Sequence, residues 1–308
     1  MKRIGILLAL MLAFCTAAAA QPLQVVATIF PICDWTREII GETEGVELTM
    51  LMGGGVDLHS FQPSAQDIMK VSSCDVFIDI GGVSDEWAKD ALATAVNGQQ
   101  RVLHLLDALG DSAKLEEHVE GMEEDGEEDE EYDEHVWLSL RNAETLCRKI
   151  AETLGEADPA HAEAYSANCG AYVEKLKAID ADYRMEVENA KHHTLLFGDR
   201  FPFRYLTDDY DLSYYAAFSG CSAETEASFR TVIFLAGKLD ELGLPAVLKI
   251  DGSDGRIAET VARSAKAQDA KILTLDSMQS VTDEEIAGGT TYLSIMEENL
   301  KTLHAALN

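Results

Sequence analysis

Positive charge is scarce in this chain: 24 Lys and Arg face 55 Asp and Glu, leaving a formal net charge of -31 and a pI near 4.4. Gripping a phosphate backbone requires clustered cations, so nucleic-acid binding is excluded as the main task. Cysteine is scarce too. Six occur, at positions 15, 33, 74, 147, 169 and 221, with no C-x-x-C pair. That spacing excludes a cysteine-rich zinc module and favours buried free thiols. The chain has no H-E-x-x-H helix, no nucleophile elbow and no Asp-x-Asp-x-Asp-Gly calcium loop, so an enzyme is not expected. Past the first residues, no run approaches the roughly 20 apolar residues that a membrane-spanning helix needs.

What is present begins with a targeting segment. Lys2-Arg3 is a basic start, Ile4 to Phe14 a short apolar run, and Ala18-Ala19-Ala20 a small-residue cleavage signature, so residues 1–20 read as a secretory signal peptide. Cys15 is the alternative lipid-attachment point, but Phe14 precedes it where a small residue is expected. Cleavage near Ala20 and a periplasmic or cell-surface location are therefore expected. About 288 residues remain, enough for two domains that each bury a core.

Short β-branched or aliphatic runs alternate with helical patterns, the signature of parallel sheets with crossover helices on both faces. Strands are expected at 24–29, 47–51, 75–80 and 101–105, then at 194–197, 213–218, 246–250 and 271–275. Helices are expected at 31–40, 65–71, 85–96, 139–154, 226–242, 255–267 and 292–306. Between the two sets of strands, Tyr165, Cys169, Tyr172, Leu176, Ile179, Tyr183 and Val187 recur at three- and four-residue steps, one apolar stripe on a single long helix over 158–192. Asp158 fits its N-cap and Pro159 its first turn. A hairpin broken near Asn168 and Gly170 is the alternative. The chain thus divides into an N-terminal α/β lobe over 21–157, the linking helix, and a C-terminal α/β lobe over 193–308.

Residues 116–134 hold 13 Asp or Glu among 19 positions and almost nothing apolar, so a disordered acidic loop is expected there. It is either a solvated insertion or a collector of cations, with His118 assisting. The loop runs into Asp133-Glu134-His135-Val136-Trp137-Leu138-Ser139. A second histidine motif reads Gly53-Gly54-Gly55-Val56-Asp57-Leu58-His59-Ser60-Phe61-Gln62-Pro63-Ser64. Imidazole is the commonest side-chain ligand for zinc and similar metals, so His59 and His135 point to a metal site assembled by the fold.

In order and spacing these motifs resemble those of the metal-binding solute-binding proteins of ABC importers, the zinc and manganese group typified by ZnuA and TroA. Val26 to Pro31 is similar to the family's opening strand and turn, Gly55 to Ser64 to its first ligand loop, and Asp133 to Ser139 to its second. Gly220 to Ser228 is similar to the segment before a C-lobe helix, and Leu273-Thr274-Leu275-Asp276-Ser277 to the strand end that carries a carboxylate ligand. The resemblance covers essentially the whole chain after the signal. It implies two pseudo-symmetric α/β lobes, each a mostly parallel four-stranded sheet flanked by helices, joined by one backbone helix. It also implies a metal ion in the cleft, held by His59, His135 and Asp276, and delivered to an ABC transporter permease in the membrane.

One departure matters. Where the family places His or Glu after the first strand of the second lobe, this chain reads Gly198-Asp199-Arg200-Phe201-Pro202-Phe203. Alignment on Phe201 puts Gly198 at the ligand position and alignment on Phe203 puts Arg200 there, and neither binds a cation. Asp199, between them, is taken as the third ligand, with His192, His193 or water as alternatives. Glu224 and Glu226 are further carboxylates within reach of the cleft. Such mixed nitrogen and oxygen donors accept Zn2+, Mn2+ or Fe2+ alike. The acidic loop, common in the family's zinc members, favours zinc; a manganese- or iron-binding member or a metal-dependent surface adhesin is the alternative. A monomer is expected, with Asp57 and Trp137 orienting the imidazoles. The long helix should limit lobe opening, so release would depend on docking to the permease.

Overall fold

The computed structural model describes residues 21–123, 131–222, 226–267 and 269–308. The signal segment 1–20, the middle of the acidic segment and Glu224 lie outside the described residues.

Parallel strands covered on both faces read as continuous apolar runs, and the central strands here do so. β1 (Leu23–Ala27), β2 (Val46–Met50), β3 (Val76–Asp79) and β4 (Arg101–His104) form one parallel sheet in the order β2-β1-β3-β4. Along β1 and β3, Val25, Ala27, Val76, Phe77 and Ile78 are fully buried. β5 (Thr194–Phe201), β6 (Ser213–Ser219), β7 (Ala246–Ile250) and β8 (Lys271–Leu275) form the second parallel sheet in the equivalent order β6-β5-β7-β8. All eight expected strands are found; β5 runs on to Phe201, with a shift of register between Phe197 and Arg200.

Helices α1 (Phe30–Ile40), α2 (Ala65–Ser73), α3 (Glu86–Ala93), α4 (Leu105–Leu109) and α5 (Leu140–Ala157) serve the first lobe. The long α6 (Ala162–Asn189) follows, then α7 (Arg204–Asp209), α8 (Phe229–Leu242), α9 (Arg256–Ser264), α10 (Asp283–Ala287) and α11 (Tyr292–Leu307) in the second. Starts obey local chemistry: Ser64 and Asp67 form a capping box on α2, and the hydroxyls of Ser139, Ser228 and Thr291 cap α5, α8 and α11.

The linking helix begins later than its composition suggests. Asp158 caps the end of α5 and its carboxylate accepts from His161 Nδ1 at 2.6 Å and from the Tyr165 hydroxyl at 2.9 Å, so Pro159 falls in the turn between α5 and α6. No break occurs at Asn168 or Gly170: α6 is continuous over 28 residues, a length of about 42 Å. Asn168 instead donates its amide to the Ile39 carbonyl of the first lobe at 3.0 Å, while the Tyr183 hydroxyl donates to the Met296 carbonyl of the second at 2.7 Å.

The lobes share one apolar core that runs from Val25 to Leu307. Buried polar bonds cross it. Trp137 Nε1 donates to the Ser277 carbonyl at 2.8 Å, and the Tyr292 hydroxyl donates to the Trp137 carbonyl at 2.7 Å. The five cysteines from Cys33 to Cys221 are free thiols, four of them buried.

Where disorder was expected over 116–134, the described flanks have a fixed course. Leu115 bridges Tyr132, the Glu116 amide donates to the Glu131 carbonyl at 2.9 Å, and the Asp133 amide to the Lys114 carbonyl at 2.8 Å. Composition alone hides this, because the segment gains its partners from its own return strand and from the second lobe.

Removing the indole donor at the lobe junction strands a buried carbonyl. Trp137→Phe should lower unfolding free energy in urea by about 1–3 kcal/mol, and an unchanged midpoint would show that the Trp137–Ser277 bond carries no stability.

Candidate metal centre

His59 is set by a tight, polar loop. Gly54 and Gly55 take φ of 69° and 78°, a left-handed pair that a side chain would strain. They turn the chain into the short helical turn Leu58–Ser60, which Asp57 caps by accepting the His59 amide at 2.9 Å. The ring's Nδ1 lies 3.0 Å from Ser84 Oγ. Ser84 is itself held, its amide donating to Glu134 Oε1 at 2.8 Å. Gly82 makes room for that carboxylate, since a Cβ there would stand 2.1 Å from Glu134 Oε1.

His135 precedes α5 and is fully buried. Asp133 accepts its amide at 2.8 Å and faces its Nδ1 at 3.0 Å. A carboxylate only accepts, so Nδ1 carries the proton and Nε2 presents its lone pair. That lone pair points at His59: the two Nε2 atoms are 3.2 Å apart. Two imidazoles sharing one tetrahedral zinc ion place their nitrogens about 3.3 Å apart, given zinc–nitrogen bonds near 2.0–2.1 Å.

A third candidate donor comes from the second lobe. Among the described residues, one group of His, Cys, Asp and Glu converges as metal ligands would: His59, His135 and Cys221, whose donor atoms all lie within 4.8 Å of one another. Cys221 follows β6, where the parallel sheet opens at the carboxyl ends of its strands. Gly220 before it is pressed on the His135 ring, with a Cβ position 3.0 Å from Cε1. Sequence reasoning missed this thiol by reading the cysteines as a scattered set. The available signal was its place in the Gly220–Ser228 motif, directly after a strand of the second lobe.

The structure does not bring Asp199 or Asp276 into this cluster. The register shift in β5 turns Asp199 inward, where its oxygens accept the Arg200 amide at 2.9 Å and the Ile250 amide at 3.4 Å. Asp276 accepts the Met278 amide at 2.7 Å, and its own amide donates to Asn299 Oδ1 at 2.8 Å. Burial, then the nearby Asp251, pushes its carboxyl up to about 7. Arg200 is the residue of that turn that crosses the lobes: its guanidinium donates to Asp57 Oδ2 at 2.7 Å, tying β5 to the loop of His59. His192 and His193 precede β5 at the strand end remote from Arg200, and Glu226 is exposed before α8.

Electrostatics keeps the pair ready for a cation. Burial, then the facing His135 ring, pushes the His59 imidazole down to about 3; Arg200 adds to this and Asp57 opposes it. Burial also raises the Cys221 thiol well above its usual value, helped by Glu116, Asp133 and Glu134. A metal ion held through this sulfur would displace that proton.

Two parallel α/β lobes joined by a common helix, with two imidazoles and a thiol converging between them, define a two-lobed α/β protein with a candidate metal site. The chain belongs to the ZnuA family: a family model described as "ZnuA: Zinc-uptake complex component A periplasmic" matches residues 25–306. It is 31% identical over 313 residues to the zinc-binding lipoprotein AdcA of Streptococcus pneumoniae, covering 98% of this chain and 60% of that protein. The chain thus spans about three fifths of that relative's length. A metal ABC transporter substrate-binding lipoprotein of Streptococcus sanguinis, SsaB, is 29% identical and is matched over 100% of this chain and 99% of its own. Among solved structures, the Zn(II)-bound ZnuA-like domain of the pneumococcal AdcA is 26% identical with a TM-score of 0.73, covering 93% of this chain and 99% of that one.

The depressed His59 imidazole ties stability to pH. Its folded value lies below the ordinary 6.5, so the stability it contributes is complete above that pH and is lost as pH falls toward about 3. The metal-free protein should therefore lose stability on acidification from pH 7 to 5, and His59→Gln should shed part of that slope; an identical slope in denaturant titrations would contradict the assignment.

Proposed function

We propose that the protein captures a divalent transition metal ion, zinc, with His59, His135 and Cys221, and hands it to the membrane permease of an ABC importer. The observation that carries this reading is the 3.2 Å approach of the two Nε2 atoms beside a thiol. Three protein donors leave a tetrahedral ion one exchangeable position, which suits a carrier that must release its cargo. A thiolate also favours zinc over manganese, which prefers oxygen donors. The names of the zinc-binding relatives support the same choice. Asp199 and Asp276 stay outside the ligand set in this reading and brace the backbone of β5, β7 and β8.

The carrier is read as monomeric and extracytoplasmic, in keeping with the signal-like start and with relatives named as lipoproteins. Three such donors on one ion demand neutral imidazoles and an ionised thiol, so binding releases a proton from Cys221.

Competition against a chromophoric chelator tests the ligand set. His59→Ala and Cys221→Ser should each weaken zinc by more than the roughly 10- to 100-fold that loss of an outer partner costs, whereas Asp199→Ala should stay near wild type. Wild-type affinity in Cys221→Ser together with collapse in Asp199→Ala would restore the carboxylate as the third donor.

A further inference from the structure

The first arm of the acidic segment crosses from the lobe that precedes it in the chain to the other. Glu117 pairs with Arg204 at the start of α7. The Glu123 amide donates to the Ala217 carbonyl of β6 at 3.0 Å, so the arm lies against that strand. Met122 is buried, and Gly121 lies so close to Phe234 of α8 that a Cβ would stand 2.0 Å from its ring. These are the contacts of a strap. At its head, Glu116 Oε1 accepts the backbone amide of Cys221 at 2.9 Å.

Cys221 is the one donor of the cluster that the second lobe supplies, and its loop must be fixed relative to two imidazoles anchored elsewhere. His135 is fixed by Asp133, and His59 by Asp57 and Ser84. For Cys221 the corresponding hold comes from Glu116, whose half-buried carboxyl oxygen accepts the backbone amide. The strap also links the halves of the centre: the Lys114 amide donates to the Tyr205 hydroxyl at 3.0 Å, and that hydroxyl donates to the carbonyl of Asp133 at 2.9 Å.

We propose that Glu116 is a positioning residue for the metal centre: by holding the Cys221 amide it sets the thiol opposite His59 and His135, and residues 114–123 act as an interlobe strap. This rests on the reading of Cys221 as a ligand. Acidic residues in this arm then serve geometry, not only the attraction of cations. A role through charge and a role through the bond differ in what glutamine does, since glutamine keeps the acceptor oxygen and loses the charge.

Zinc affinity by chelator competition and the thiolate-to-metal charge-transfer absorption of the cobalt(II)-loaded protein test the proposal on the full chain. Glu116→Ala should weaken zinc roughly 10- to 100-fold and diminish the cobalt–thiolate absorption. Glu116→Gln should retain most of both, and Glu120→Ala, which removes an exposed charge of the same arm, should match wild type. Wild-type behaviour of Glu116→Ala would overturn the proposal, as would equal losses in Glu116→Ala, Glu116→Gln and Glu120→Ala, which would assign the effect to charge. Absence of the thiolate absorption from the wild-type protein would instead overturn the ligand reading on which the proposal stands.

Discussion

Two imidazole nitrogens stand 3.2 Å apart inside the cleft, and each ring is committed on its far side, His135 to Asp133 and His59 to Ser84. Since Asp133 fixes the tautomer of His135, only one proton can lie between the facing nitrogens without repulsion. Burial makes a second proton costly, which is why the His59 imidazole is driven so far down. The capping loop, the room left by Gly82 and the carboxylate of Asp133 all serve that one contact.

Around it, the lobes are joined more firmly than a hinge would require. One apolar core spans both, α6 bonds to each, and Trp137 and Tyr292 reach across with buried donors. The Arg200–Asp57 pair adds a charged tie next to the first ligand loop.

The fold was legible because each sheet is covered on both faces, so its strands read as apolar runs and each of the eight was found. The start of α6 was misplaced, since Asp158 looks like an N-cap in sequence yet closes the preceding helix. His59 and His135 were legible as motifs. The placement of Asp199 was not, because a local register shift in β5 decides which of Gly198, Asp199 and Arg200 faces the cleft, and periodicity cannot report a bulge. Nor could composition reveal that part of an acid-rich segment is pinned by the neighbouring lobe.

The two sheets repeat one strand order, but their donors are shared out unevenly, with both imidazoles on the first lobe and the thiol on the second. Symmetry of scaffold is therefore decoupled from symmetry of coordination. Substitutions at the tips of β5 and β6 can alter hardness and charge around the cluster while the nitrogen pair stays intact. Under the proposed function, a lineage of such proteins can change its preferred ion by varying a few positions in one half of the molecule.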